Sequence, residues 1–189
     1  MRDTSVEPPE PQHRNEIAHD ATRNAAKPGA LARILTSCPG VTLATNIAVL
    51  GILAPAYQVA LVGHGFARAT AISPAGAALL RERYGCLCVM DQPADQLDAA
   101  ALASLRRRLV AAGTLILDVS APQGRAELEE RLRAAHFWMR QYRMIGMRQP
   151  DGVRQRAVFL VARAPRSPLR EVPAGAQLAA LVAPAQRAA

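Results

Sequence analysis

The chain has 189 residues, half of them apolar, a formal net charge of +8 and a pI of about 10.6. That length suits one domain with a full core and a single active site, and the apolar content excludes a wholly disordered chain. Of 23 basic residues only Lys27 is a lysine, and the arginines are interspersed with acids and few aromatics, which reads as a solvated arginine-rich surface rather than a phosphate-binding one.

Residues 1–29 combine proline and charge with almost no large apolar side chains, so they cannot repay the entropy of ordering and read as a flexible arm. They contain no apolar run ahead of a cleavage site, which makes the cytoplasm the expected compartment. Cys38, Cys86 and Cys88 form an odd count without metal-ligand spacing and are expected as buried thiols in a reducing compartment, with no metal.

From Ile34 to Ala67 there is no Asp, Glu, Lys or Arg. A membrane span needs roughly 20 apolar residues. Pro39, Pro55, Asn46, Gln58, Gly40 and Gly51 interrupt this run, so it reads instead as core: a short strand at Val41–Thr45, a helix through Ile47–Leu53 and a strand at Val59–Val62. A membrane-associated protein anchored through residues 41–62 is the alternative.

The strand expected at Val59–Val62 runs into Gly63-His64-Gly65, a loop whose glycines would let backbone approach a ligand. A dinucleotide loop is excluded by Arg68 where a third glycine is required. After Ala71-Ile72-Ser73-Pro74, a helix is expected over Pro74–Tyr84. Cys86–Met90 and Thr114–Val119 are apolar runs suited to strands buried on both faces of a parallel sheet.

Between those two strands, Asp98 is placed to cap a helix with Leu102, Leu105 and Leu109 on one face and Gly113 just past its end. A second helix spans residues 124–137 with Leu128, Leu132 and Ala135 inward, and with Glu127–Arg131 and Glu129–Arg133 one turn apart. Residues 138–148 and 153–163 flank Gln149-Pro150-Asp151-Gly152, the signature of an antiparallel hairpin. Trp138, Tyr142 and Met144 fall on one face of its first strand, where core or edge packing is expected. From Arg166 the chain is a Pro- and Ala-rich tail.

This order resembles the class I S-adenosylmethionine-dependent methyltransferases. AAGTLILDVS, the helix ELEERLRAAHFWMRQYRMIG with His136 where the family usually has glycine, and the final strand AVFLVARAP resemble the end of that family's sheet. VALVGHG and AISPAGAALLRERYG resemble its first glycine loop and second strand end. The likeness covers residues 59–165. It implies an α/β fold with a Rossmann-like, mostly parallel sheet, helices on both faces and a C-terminal antiparallel hairpin, over residues 30–165.

It also implies S-adenosylmethionine as cofactor, with Gly63, His64, Gly65 and Ser73 as cofactor-binding candidates and Asp91 as the catalytic candidate beside the acceptor. Asp118, at the next strand end, is either a second crevice residue or structural. The family's carboxylate at the second strand end is replaced by Ala71, a change worth about 1.5–3 kcal/mol of binding. In a second alignment the helix at 74–84 is the first crossover and Asp91 the acid ending the second strand. Two functions stay open: a methyltransferase of unknown acceptor, or a degenerate binding or scaffold protein with a protein partner or oligomer. Nucleic acid is not indicated beyond the net charge.

Overall fold

The computed structural model describes residues 26–73, 82–91, 97–120, 124–148, 152 and 154–166. The helix expected over residues 74–84 and the tail beyond Arg166 lie almost wholly outside these residues. Six strands form one sheet in the order β2-β1-β3-β4-β6-β5. The strands are β1 Ile47–Leu50, β2 Ala69–Ile72, β3 Tyr84–Val89, β4 Leu109–Asp118, β5 Met139–Arg148 and β6 Arg154–Arg163. The first four pair in parallel; β6 runs antiparallel to both β4 and β5. This is the mostly parallel α/β sheet with a closing hairpin that the sequence implies.

Among the described residues four helices cover it: α1 Lys27–Ser37, α2 Ala54–Gly63, α3 Ala99–Arg108 and α4 Arg125–Ala134. The central strands β1, β3 and β4 are apolar at most positions because side chains alternate between two cores. Ile47, Val49, Cys86, Cys88 and Ile116 pack with α1 and α2 on one face. Ala48, Leu50, Leu87, Val89, Leu115 and Leu117 pack with α3 and α4 on the other. Crossovers that leave the middle of the sheet in opposite directions thus carry their helices on opposite faces, as a constant crossover hand requires.

Several expectations are corrected at the N-terminal end. Helix α1 begins at Lys27, with Pro28 in its first turn, so the last residues assigned to the arm belong to the domain. Residues 41–45 are loop and turn rather than a strand. Ile47–Leu50 is a strand, not a helix: four apolar residues with neighbours on both sides gain more from the sheet than from a single helical turn. Val59–Val62 belongs to α2, because Tyr57 and Leu61, one turn apart, are the positions that reach the core. Among the described residues no helix is long and apolar enough to cross a membrane. Residues 41–62 are divided among a loop, an interior strand and a ten-residue helix, so they form no span.

In the second half, Asp98 caps α3 as expected, its carboxylate accepting from Ala101 N at 2.7 Å. The helix ends at Arg108, however, and the Gly113 expected just past its end lies inside β4. There the pairing jumps from Tyr84 opposite Leu109 to Cys86 opposite Thr114, and Ala112 takes a φ of 58°. At the end of α4, Phe137 N bonds back to Leu132 O at 2.9 Å and His136 has a φ of 61°. This left-handed helix stop explains why glycine suits the position His136 holds. The Glu129 carboxylate accepts from the Tyr142 hydroxyl at 2.7 Å. All three cysteines are buried free thiols, and burial pushes Cys38 up to about 11.

Candidate functional site

In an open parallel sheet, ligands bind beyond the C-terminal strand ends where neighbouring crossovers diverge. Here β1 leads to β2 on one side and has β3 on the other, so the crevice opens between β1 and β3. The residues that follow these strands are Gly51 after β1, Ser73 beyond β2, Asp91 beyond β3 and, ending β4, Asp118.

The glycine that follows a strand on the crevice side is Gly51, twelve residues before the Gly63 expected from the sequence. Its φ is 152°, and a Cβ there would lie 2.5 Å from the Met90 carbonyl oxygen. Only glycine lets the β1 turn pass this close to the end of β3. The signal was present: an apolar run, Ile47–Leu50, ends in a glycine followed by a helix with Pro55 in its first turn. Gly63 closes α2, His64 is its cap and Gly65 belongs to the turn before β2. These three residues therefore sit at the opposite end of the sheet from the crevice. The His64 ring bonds to Ala60 O at 2.9 Å, within its own helix.

The same shift resolves the spacing. Helix α2 is the first crossover and Ala69–Ile72 the second strand, so Asp91 ends the strand beside β1 on the other side and not the second strand. Ala71 pairs with Val49 inside β2, and Ser73 is the exposed residue just past its end.

Asp91 adopts a left-handed backbone, φ 58°, and accepts a hydrogen bond at Oδ1 from the Tyr57 hydroxyl of α2 at 3.3 Å. Its second oxygen, Oδ2, is buried and has no side-chain hydrogen-bond partner among the described residues. Burial pushes the carboxyl above its ordinary range, opposed by Lys27; Asp118 raises it further, while hydrogen bonds from Tyr57 and the Leu53 backbone lower it. The Tyr57 hydroxyl is itself held protonated by burial and the neighbouring Asp91 charge.

Asp118 Oδ2 forms an ion pair of 2.8 Å with Lys27 Nζ, both side chains largely buried at 16% and 5% exposure for lysine and aspartate. Its other oxygen accepts from Ser120 N at 3.0 Å and from Ser120 Oγ. The sole lysine thus ties the first turn of α1 to the end of β4, across 91 residues. Two carboxylates and one ammonium thus gather at the C-terminal ends of β3 and β4, and Asp91 Oδ2 has no side-chain hydrogen-bond partner among the described residues. Among the described residues no cluster suited to a metal ion is present.

The sequence matches no family model and no curated protein. Its shape is similar to solved structures. A candidate O-methyltransferase from Nostoc punctiforme superposes with a TM-score of 0.50 at 13% identity, over 74% of this chain and 56% of that one. A candidate SAM-dependent methyltransferase from Streptococcus mutans has a TM-score of 0.49 at 11% identity, covering 70% and 48%. A SAM-dependent O-methyltransferase from Thermotoga maritima has a TM-score of 0.49 at 11% identity, covering 76% and 66%. The chain spans about half the length of the first two of these proteins. Together with the strand order, the first likeness defines the fold as the Rossmann-like fold of class I methyltransferases.

Proposed function

We propose that the chain is an S-adenosylmethionine-dependent methyltransferase with its cofactor in the crevice between β1 and β3. The observation that carries the reading is Asp91, a strand-end carboxylate with one buried oxygen that lacks a partner among the described residues, beside a glycine turn at the switch point. Such an oxygen fits a ligand bearing hydroxyl donors and positive charge. The cofactor would supply a methyl group already activated on its sulfonium, so the protein's contribution is orientation and exclusion of water.

In that arrangement the Gly51 turn and Ser73 hold the cofactor, Ser73 offering a neutral hydroxyl in place of the family's acid. Tyr57 fixes the Asp91 carboxylate through Oδ1 and leaves Oδ2 facing the ligand. With its proton affinity raised by burial, Asp91 can accept a proton from the methyl acceptor at Oδ2. Lys27 and Asp118 neutralise each other and keep the second carboxylate from competing.

A second reading, a binding protein that retains this fold without turnover, is favoured by a specific feature. Gly51 is followed by Ile52-Leu53-Ala54-Pro55 with no further glycine, and β2 ends in Ser73 rather than a carboxylate. Titration calorimetry with S-adenosylmethionine and its demethylated product tests both. The transferase reading expects binding, weakened about tenfold by Asp91→Leu, the loss of one charged hydrogen bond. No binding of either compound at millimolar concentration to folded protein refutes it and leaves the second.

A further inference from the structure

The β5–β6 hairpin carries three arginines in each strand, Arg140, Arg143, Arg148, Arg154, Arg156 and Arg163, and no acid in either. The hairpin outruns the sheet. Pairing of β6 with β4 stops at Phe159 opposite Asp118, and the last backbone bond to that edge is from Val119 N to Val158 O. Arg154–Ala157 and the opposing Ile145–Arg148 therefore project beyond the C-terminal end of β4, by about 13 Å for four extended residues. That is the side on which the crevice opens.

One face of the projection is anchored: Met147 and Ala157 are buried in the core that α1 covers. The other face gathers what the first face excludes. Arg148 stands directly opposite Arg154, Gly146 opposite Arg156 and Met144 opposite Val158, so these side chains share one face with Tyr142. All three arginines are exposed, as are Met144 at 69% and Tyr142 at 38%. None of the three arginines forms a hydrogen bond or ion pair among the described residues. Like charges directly opposite across two strands destabilise a hairpin. Nothing in the folding of this hairpin rewards such an arrangement, whereas a chain of phosphates would neutralise it.

We propose that this face binds single-stranded nucleic acid, the arginines contacting phosphates while Tyr142 and Met144 offer apolar surface to unstacked bases. The dispersed charges of the sequence are collected here by pairing two strands that each alternate inward and outward. The proposal is independent of the transferase reading, since it invokes none of the crevice residues.

The test is fluorescence anisotropy of the full chain with a short labelled single-stranded RNA of mixed sequence across a salt series. Arg148→Gln/Arg154→Gln/Arg156→Gln should weaken binding at least tenfold and reduce the log–log salt slope by about 2, at roughly 0.7 per phosphate contact. A charge-matched control, Arg33→Gln/Arg68→Gln/Arg107→Gln, removes three exposed arginines elsewhere and should keep most of the affinity. Should the triple variant fail to fold, Arg154→Gln alone removes the facing charge and should lower the slope by about 0.7. The proposal is overturned by absence of binding, by equal losses in the control and hairpin variants, or by hairpin variants that lose only binding to anionic lipid vesicles.

Discussion

Replacing Gly51 by alanine tests the relocation of the ligand-side turn. The added Cβ would sit 2.5 Å from Met90 O and 3.2 Å from Met90 C, where ordinary contact begins at 3.4 Å. Relief requires β1 and β3 to part by about 0.9 Å at the strand ends, or the turn to leave its φ of 152°. Both elements are paired in the middle of the sheet, so neither yields freely. Backbone strain of about 1–3 kcal/mol and overpacking of about 1–3 kcal/mol add to roughly 2–6 kcal/mol. For a domain of this size that lowers Tm by about 4–24 °C. Thermal unfolding followed by circular dichroism measures it. Gly63→Ala is the internal comparison: nothing lies within 4 Å of its added Cβ, so its Tm should stay level or rise. An unchanged Tm for Gly51→Ala, or a larger loss for Gly63→Ala, would refute the reasoning.

His136→Gly should stabilise the fold by about 0.5–1 kcal/mol by relieving the left-handed stop after α4, and a loss in urea unfolding would count against that account. Lys27→Met leaves the buried Asp118 carboxylate uncompensated and should cost about 3 kcal/mol, with Lys27→Met/Asp118→Asn recovering much of it; additive losses in the double variant would argue against a pair. Because burial raises Asp91, the native state holds that proton to higher pH than the unfolded chain, so its contribution to stability falls as pH climbs from the ordinary carboxylate range to the raised native value. Asp91→Asn removes this term, and its stability relative to the parent should therefore rise over that window; a pH-independent difference would exclude a raised carboxyl.

The C-terminal half was legible because its signals are local and mutually consistent. Asp98 ahead of a helical stripe, the apolar strands around Leu87 and Leu115, and the turn between two alternating segments each point to one structure. Even His136 at a glycine position was visible from its context, and its φ explains it. The helix before β4 was read too long because Leu109 continues the helical stripe, yet it pairs opposite Tyr84 in the sheet.

What the sequence determined by itself was the class of fold, the two-sided burial of the central strands and the placing of Asp91 at a strand end, since periodicity and strand-end chemistry are properties of short segments. What only the tertiary structure decided was which apolar run between Ile34 and Ala67 is strand and which is helix. Without charges to mark faces, periodicity is silent there, and the choice is made by which run finds a strand on each side. That choice moved the glycine turn from Gly63-His64-Gly65 to Gly51. It also brought Lys27 to Asp118, a contact across 91 residues that the chain hides until the sheet is assembled.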